Sequence, residues 1–326
     1  MRCWVVCCAI ICLLCSFQTD SLVAQAYADT TKPEKPQVGI HGYVQFHWLL
    51  DGKSGKVPNN EFLLRRARLK IEPTITQNLS AALEIDFGKS KISTKDIYIE
   101  YKVSKALRFT LGQHKMPFNR EQLVSGAKLL FIERTSVNDE FDKRKWVGRD
   151  IGLSVSGKLV RSEGVEVIYH AGIFNGTQGS QEFNNAKQYA ERVTVDITKS
   201  FSVGVNSSQK TDSVTAKVLT AHGIDFSYQQ SNFIAEAEVL YGNRTLNDRM
   251  LGGYGQVYYN ASRLELGVRY ENLLRDVHSS PYWQSITTEV GYIIDEYFRL
   301  RLNIEGVRPQ AGNSYLRLFT QVQAKF

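Results

Sequence analysis

The chain has 326 residues, a net charge of +7 from 40 Lys+Arg against 33 Asp+Glu, and five cysteines, all between Cys3 and Cys15. Beyond Cys15 this excludes a disulfide framework, a thiolate nucleophile and any cysteine-ligated metal. The positive balance suits anionic partners in general, such as a solute or lipopolysaccharide. Nucleic acid has only the net charge in its favour, so no nucleic-acid partner is expected.

At the N-terminus, Arg2 precedes an apolar run from Cys3 to Phe17, and small residues follow at Ala24, Ala26 and Ala28. This layout predicts a cleavable secretory signal over residues 1–28, cut after Ala26 or Ala28. The run is short of the roughly twenty residues of a membrane-spanning helix, and Leu13 and Leu14 before Cys15 do not suit a lipoprotein signal. Residues 29–36, with Pro33 and Pro36, read as a short periplasmic lead, and residues 37–326 as one further unit without an interdomain linker.

From Val38 onward the pattern has period two. Arg66, Arg68, Lys70 and Glu72 alternate with Ala67, Leu69 and Ile71; Asp96, Tyr98, Glu100 and Lys102 alternate with Ile97, Ile99, Tyr101 and Val103. Such alternation sets one face against apolar surroundings and the other against water. Strands are predicted at 37–49, 61–73, 79–88, 95–103, 107–114, 149–159, 164–174, 189–198, 201–209, 218–230, 232–241, 250–260, 263–272, 282–293, 297–307 and 314–326. Short connections alternate with long ones at 50–60, 115–148, 175–188, 242–249 and 273–281, and aromatics such as Trp48, Tyr101, Tyr259 and Tyr292 sit near strand ends. A soluble sandwich or propeller also alternates, but no internal repeat is present here. The expected fold is all-β: a transmembrane antiparallel β-barrel of about sixteen strands, the even count of bacterial outer-membrane barrels, in the outer membrane of a Gram-negative bacterium.

Sixteen strands leave a water-filled channel rather than a packed interior. Taking the polar parity as the lumen, the inward bases include Arg66, Arg68, Lys70, Arg108, Arg192, Arg263, Arg269, Arg299, Arg301, Arg317 and Lys325. Barrel closure would bring Arg66, Arg68 and Lys70 onto one wall with Arg299, Arg301 and Arg317. That arrangement would be an anion-guiding ladder, because the guanidinium fork stays charged and suits oxyanions. Inward acids are as numerous, among them Glu72, Glu84, Asp86, Glu100, Glu238, Glu271, Glu289 and Glu305. A mutually neutralised lumen therefore stays open as the alternative.

The 115–148 connection is far longer than an ordinary loop, and such loops are commonly functional. Its apolar stretch LVSGAKLLFI (123–132) needs shelter from water, which folding into the lumen would give; a surface lid or subunit contact is the alternative. Arg120, Lys128 and Arg134 are then candidate constriction residues. The six histidines lie in no nucleophile motif, and neither zinc spacing nor a phosphate-cradling glycine loop occurs. No catalytic residue, metal or cofactor is expected.

Several stretches carry a specific likeness: FLLRRARLKIEPTITQNLSAALEIDFGKS (62–90), DIYIEYKVSKALRFTLGQHKMPFNRE (96–121), LLFIERTSVND (129–139), GRDIGLSVSGKL (148–159) and YHAGIFNGTQ (169–178). In order and content they resemble the phosphate-selective porin O/P family. The resemblance implies a sixteen-stranded barrel, generally a homotrimer, with a pore narrowed by an inward-folded loop and lined by basic side chains, passing small anions such as phosphate.

Overall fold

The computed structural model describes residues 36–160, 164–179, 185–212 and 215–326. The expected signal and nearly all of the expected lead lie outside the described residues. The strands are β1 (Gln37–Asp51), β2 (Asn60–Thr74), β3 (Leu79–Asp86), β4 (Ser93–Lys102), β5 (Arg108–Lys115), β6 (Arg149–Val160), β7 (Glu166–Phe174) and β8 (Gln188–Asp196). They continue as β9 (Phe201–Thr211), β10 (Val218–Gln230), β11 (Phe233–Asn243), β12 (Arg249–Ala261), β13 (Leu264–Leu274), β14 (Trp283–Ile293), β15 (Phe298–Pro309) and β16 (Tyr315–Lys325). Every strand pairs antiparallel with its sequence neighbours, and β1 pairs with β16 to close the barrel. Closure leaves no edge strand, so the backbone groups along the strands are met without water, which a membrane interior requires.

The alternation is inverted relative to a soluble protein. Along β13, Leu264, Leu266, Val268 and Tyr270 are exposed while Glu265, Arg269 and Glu271 are buried. Exposed apolar side chains on the outside are what lipid solvates. At the seam, Gly42 and Phe326 exchange both backbone hydrogen bonds at 3.0 Å. Short turns such as Ser231–Asn232 cluster at one end of the barrel and the long connections at the other, the extracellular end by the usual convention for such barrels.

Two β-bulges break the period. Opposite Gln45 and Phe46 the partners are Arg66 and Leu64, so Arg65 is the extra residue. Leu83 and Ile85 face Ile97 and Thr94, so Lys95 and Asp96 together oppose Glu84. A bulge re-aims side chains and places two consecutive residues on nearly one face.

The segment between β5 and β6 contains α1 (Arg120–Leu123), a 3-10 turn (Gly126–Lys128) and α2 (Ser136–Lys143). Asn119 caps α1 by accepting from the Gln122 amide at 3.0 Å, and Thr135 caps α2 by accepting from Asn138 at 3.0 Å. Phe118, Val137, Phe141, Trp146 and Val147 form one buried cluster with Ala221, Leu240, Met250 and Leu273 of the inward parity of β10–β13. Each large side chain buried there contributes about 1.5–3 kcal/mol. The approach is close enough to require glycine: a Cβ on Gly252 would stand 2.7 Å from Val137 Cγ1.

Gly252→Leu is therefore expected to lift α2 from the wall and destabilise the protein by about 1–3 kcal/mol, read as a lower denaturant midpoint. A wild-type midpoint would contradict this seating of α2.

Candidate functional site: the lumen wall and the 116–148 segment

Irregular chain away from bulk water must have its peptide groups paired, and here wall side chains supply the partners. A polar row crosses the seam by register: Arg66, Gln45, Gln323 and Arg299 on β2, β1, β16 and β15. Arg66 Nη1 donates to Gln45 Oε1 at 2.7 Å, Gln45 Nε2 to Gln323 Oε1 at 2.6 Å, and Arg299 Nη2 to the same oxygen at 3.3 Å. The row then reaches the segment, with Gln45 Nε2 donating to the Gly126 carbonyl at 3.1 Å and Arg299 Nη2 to that of Ala127 at 2.9 Å.

Next to it, Arg301 Nη1 donates to the Leu129 carbonyl at 3.1 Å, and its Nη2 to that of Leu130. Its Nε is held by Glu289 at 2.5 Å. Asn303 Oδ1 accepts from the Ile132 amide at 3.0 Å, and Arg269 Nη1 donates to the Glu133 carbonyl at 2.9 Å. Wall carboxylates take the remaining amides: Glu271 accepts from Ser136 at 2.6 Å and Glu238 from Arg120 at 2.7 Å. The segment thus spans the lumen from β11 to β1 and returns past β15 to β13.

Glu133 is its charged anchor. Arg65 grips it with Nε and with Nη2 at 2.7 Å, Arg66 Nη2 lies at 3.5 Å, and His47 Nδ1 at 3.5 Å. Burial alone would raise the Glu133 carboxyl, but the Arg65 and Arg66 guanidiniums outweigh it and hold the group down to about 2. The bulge at Arg65 is what lets consecutive arginines reach one carboxylate.

The wall arginines expected to form a water-facing ladder do share the wall, but not its exposure. Arg66 and Arg301 are only 2% and 3% exposed, because the segment lies over them. Arg299 is shared between Ala127, Gln323 and Glu265 at 3.5 Å. Arg68 bridges Asp86 at 2.9 Å and Glu84 at 3.1 Å, and Lys70 pairs with Glu72 at 2.6 Å. Arg317 pairs with Glu305 at 3.0 Å and stacks 4.8 Å from the Trp283 ring centre. Arg108 stands apart at the opposite end of the barrel, 3.3 Å from Glu100. Arg263 falls in the turn between β12 and β13 and is exposed, as is Lys325. On the segment, Arg120 is bound by Glu236 at 2.6 Å, and Lys128 is exposed.

Arg134 differs from all of these. Its Nη2 donates to the Val124 carbonyl at 2.7 Å and its Nε to that of Glu121 at 3.3 Å, and no carboxylate lies within 4.0 Å among the described residues. Lys115, at the end of β5, donates to the same Val124 oxygen at 3.1 Å and to that of Leu123 at 2.9 Å, again without a carboxylate. Two cations thus share one neutral acceptor. At Arg134 burial lowers the guanidinium pKa first, Arg68 and Arg149 add to this, and Glu121 and Glu133 oppose it. On the extracellular side, Arg134 borders a cavity of about 620 Å³ that also carries Arg65, Lys89, Arg269 and Arg317 against Glu61, Glu133, Asp139 and Glu305. Parity alone does not reveal Lys115, Arg149, Arg65 and Lys95, because the bulges and the strand ends hide them. The inward-parity Leu240, Met250 and Leu273 were a readable signal for a docked apolar segment.

A family model, phosphate-selective porin O and P, matches residues 38–265. The chain belongs to that family. It is accordingly an outer-membrane porin, a channel-forming barrel. None of the curated proteins matches the chain. Among solved structures, OmpT of Vibrio cholerae shares 10% identity at a TM-score of 0.64, covering 92% of this chain and 100% of that one. Salmonella typhi OmpF, solved with daunomycin, shares 10% identity at 0.64, covering 89% and 97%. A porin mutant of Rh. blastica shares 11% at 0.58, covering 89% and 100%. These likenesses concern the porin fold.

Glu133→Gln should release the middle of the segment, since buried Arg66 then lacks its counter-charge; the loss is about 2–4 kcal/mol, read as faster amide exchange over residues 129–136. Because the carboxyl is depressed on folding, its contribution is full above the ordinary glutamate pKa, about 4.3, and fades as pH falls toward 2. Exchange protection should therefore be flat from pH 7 to about 5 and decline below about 4. Equal decline in Glu133→Gln would contradict the assignment.

Proposed function

We propose that this porin passes small anions in preference to cations, with the 116–148 segment as its constriction and phosphate among the solutes it accepts. The observation that carries the reading is the Lys115–Arg134 pair, two basic groups donating to one carbonyl oxygen with no carboxylate within 4.0 Å among the described residues. Elsewhere on the wall, cations and carboxylates largely neutralise one another. A pair of basic groups with no carboxylate within 4.0 Å among the described residues favours a passing oxyanion, whereas the nearby Arg68 and Arg149 are themselves held by Glu84, Asp86 and Asp96.

The strength required is small. A conducting site must release its ion, and millimolar binding corresponds to about −4 kcal/mol. One ion pair at 4 Å already reaches about that size at an effective dielectric near 20, so two partly hydrated contacts suffice. Phosphate is supported by the family to which the chain belongs and by the bidentate habit of arginine. A homotrimer is supported by the family resemblance and by the Vibrio cholerae OmpT solved in trimer form. A general porin is the second reading, favoured by the paired state of Arg68, Lys70 and Arg317.

In planar bilayers with a potassium chloride gradient, the wild type should show a reversal potential of anion-preferring sign, and millimolar phosphate should reduce the chloride current. Lys115→Gln with Arg134→Gln should lower the chloride-over-potassium ratio by about threefold to tenfold. An unchanged reversal potential in the double variant would overturn the assignment, and equal permeation of both ions in the wild type would favour the general porin.

A further inference from the structure

The outer face carries a feature that the pore does not use. By register, Tyr270, Ile286, Gly306 and Leu316 form one row across β13, β14, β15 and β16. Tyr270, Ile286 and Leu316 are large, apolar and exposed, at 46%, 54% and 64%. Gly306 interrupts them with no side chain, and a Cβ there would meet nothing nearer than Leu316 Cδ2 at 3.8 Å. The result is a groove of about 510 Å³ on the lipid side of the barrel.

Its polar end is equally defined. One row nearer the extracellular rim, Gln284 faces Arg308 across β14 and β15. Gln284 Nε2 donates to the Tyr270 hydroxyl at 3.2 Å. Arg308 borders the groove, is exposed, and has no carboxylate within 4.0 Å among the described residues. Most other arginines of β2, β13, β15 and β16 face inward onto carboxylates; this one points outward near the extracellular end of its strand. A lone guanidinium above an apolar notch is complementary to an amphiphile with a phosphate over acyl chains.

We propose that the groove holds a phosphorylated, acylated glycolipid of the outer leaflet, the lipid A part of lipopolysaccharide. Its phosphate sits on Arg308, an acyl chain lies in the Gly306 notch, and Gln284 and the Tyr270 hydroxyl meet the sugar or amide groups between them. The extracellular position selects the outer leaflet, and the adjacent amide and hydroxyl favour a glycolipid over a simple phospholipid. The inference rests on the outer-membrane placement and is independent of which ions the pore prefers.

The test uses folded wild type, Arg308→Glu and Gly306→Phe in detergent, each mixed with lipid A, dephosphorylated lipid A or phosphatidylglycerol. Retained lipid is counted by native mass spectrometry. Bilayer conductance of each variant confirms a folded pore, since neither position faces the lumen. The wild type should retain lipid A and release the other two, and each variant should lose about tenfold in retention, the size of one charge-assisted contact. Undiminished retention by Arg308→Glu would overturn the phosphate contact, and undiminished retention by Gly306→Phe the notch. Equal retention of phosphatidylglycerol by the wild type would overturn the glycolipid. Efficient disulfide formation between copies of Gly306→Cys would assign the face to a second copy of the chain and overturn the proposal. Loss of conductance in the wild type would count against the channel, whereas lipid retention reports on the groove alone.

Discussion

A peptide chain laid across the inside of a barrel brings polar groups that neither a helix nor a sheet fully satisfies, and something must pair them. In this porin the wall does so. Carbonyls from Gly126 to Glu133 are taken by Gln45, Arg299, Arg301 and Arg269, and amides at Arg120, Ile132 and Ser136 by Glu238, Asn303 and Glu271. An unpaired buried peptide group costs about 1–3 kcal/mol, so these contacts decide whether the segment stays against the wall. The apolar patch around Phe141 and Trp146 fastens its other side to β10–β13.

That arrangement redistributes charge. A guanidinium bonded to loop carbonyls and a wall carboxylate has little left to offer a passing ion, so counting basic residues overstates the pore's attraction for anions. Arg301 illustrates this: fully desolvated, it serves Glu289, Leu129 and Leu130 at once. Under the proposed anion preference, selectivity rests on the few basic groups whose partners are neutral, Lys115 and Arg134 above all. Structural and selective roles are divided among residues of one chemical type.

Much of this could be read from the sequence, because period two is a strict constraint in a barrel with lipid outside and water inside. All sixteen strands and the shared wall of Arg66 and Arg299 follow from alternation and closure. The burial of Arg66 and Arg301 does not, since parity tells which way a side chain points and not what lies over it. Bulges are the other loss. Arg65 next to Arg66, and Lys95 next to Asp96, both face one way where strict alternation would separate them. Lys115 and Arg149 escape the rule at strand ends, where the pleat gives way to the segment. The apolar residues Leu240, Met250 and Leu273 at polar-parity positions were legible, and they mark where α2 and Trp146 rest.

The segment is seated on the β15–β16 wall, and the proposed constriction requires it to stay there while ions pass beside it. Ala127 and Gln323 are joined there, with the Gln323 amide donating to the Ala127 carbonyl at 3.4 Å. The sequence has no cysteine after Cys15, so Ala127→Cys with Gln323→Cys can be bridged cleanly by a short thiol-to-thiol cross-linker. Single-channel conductance measured before and after bridging is then the direct test. Rapid cross-linking with unchanged conductance is the predicted result. Failure to cross-link, or a conductance that changes sharply once the bridge forms, would contradict it.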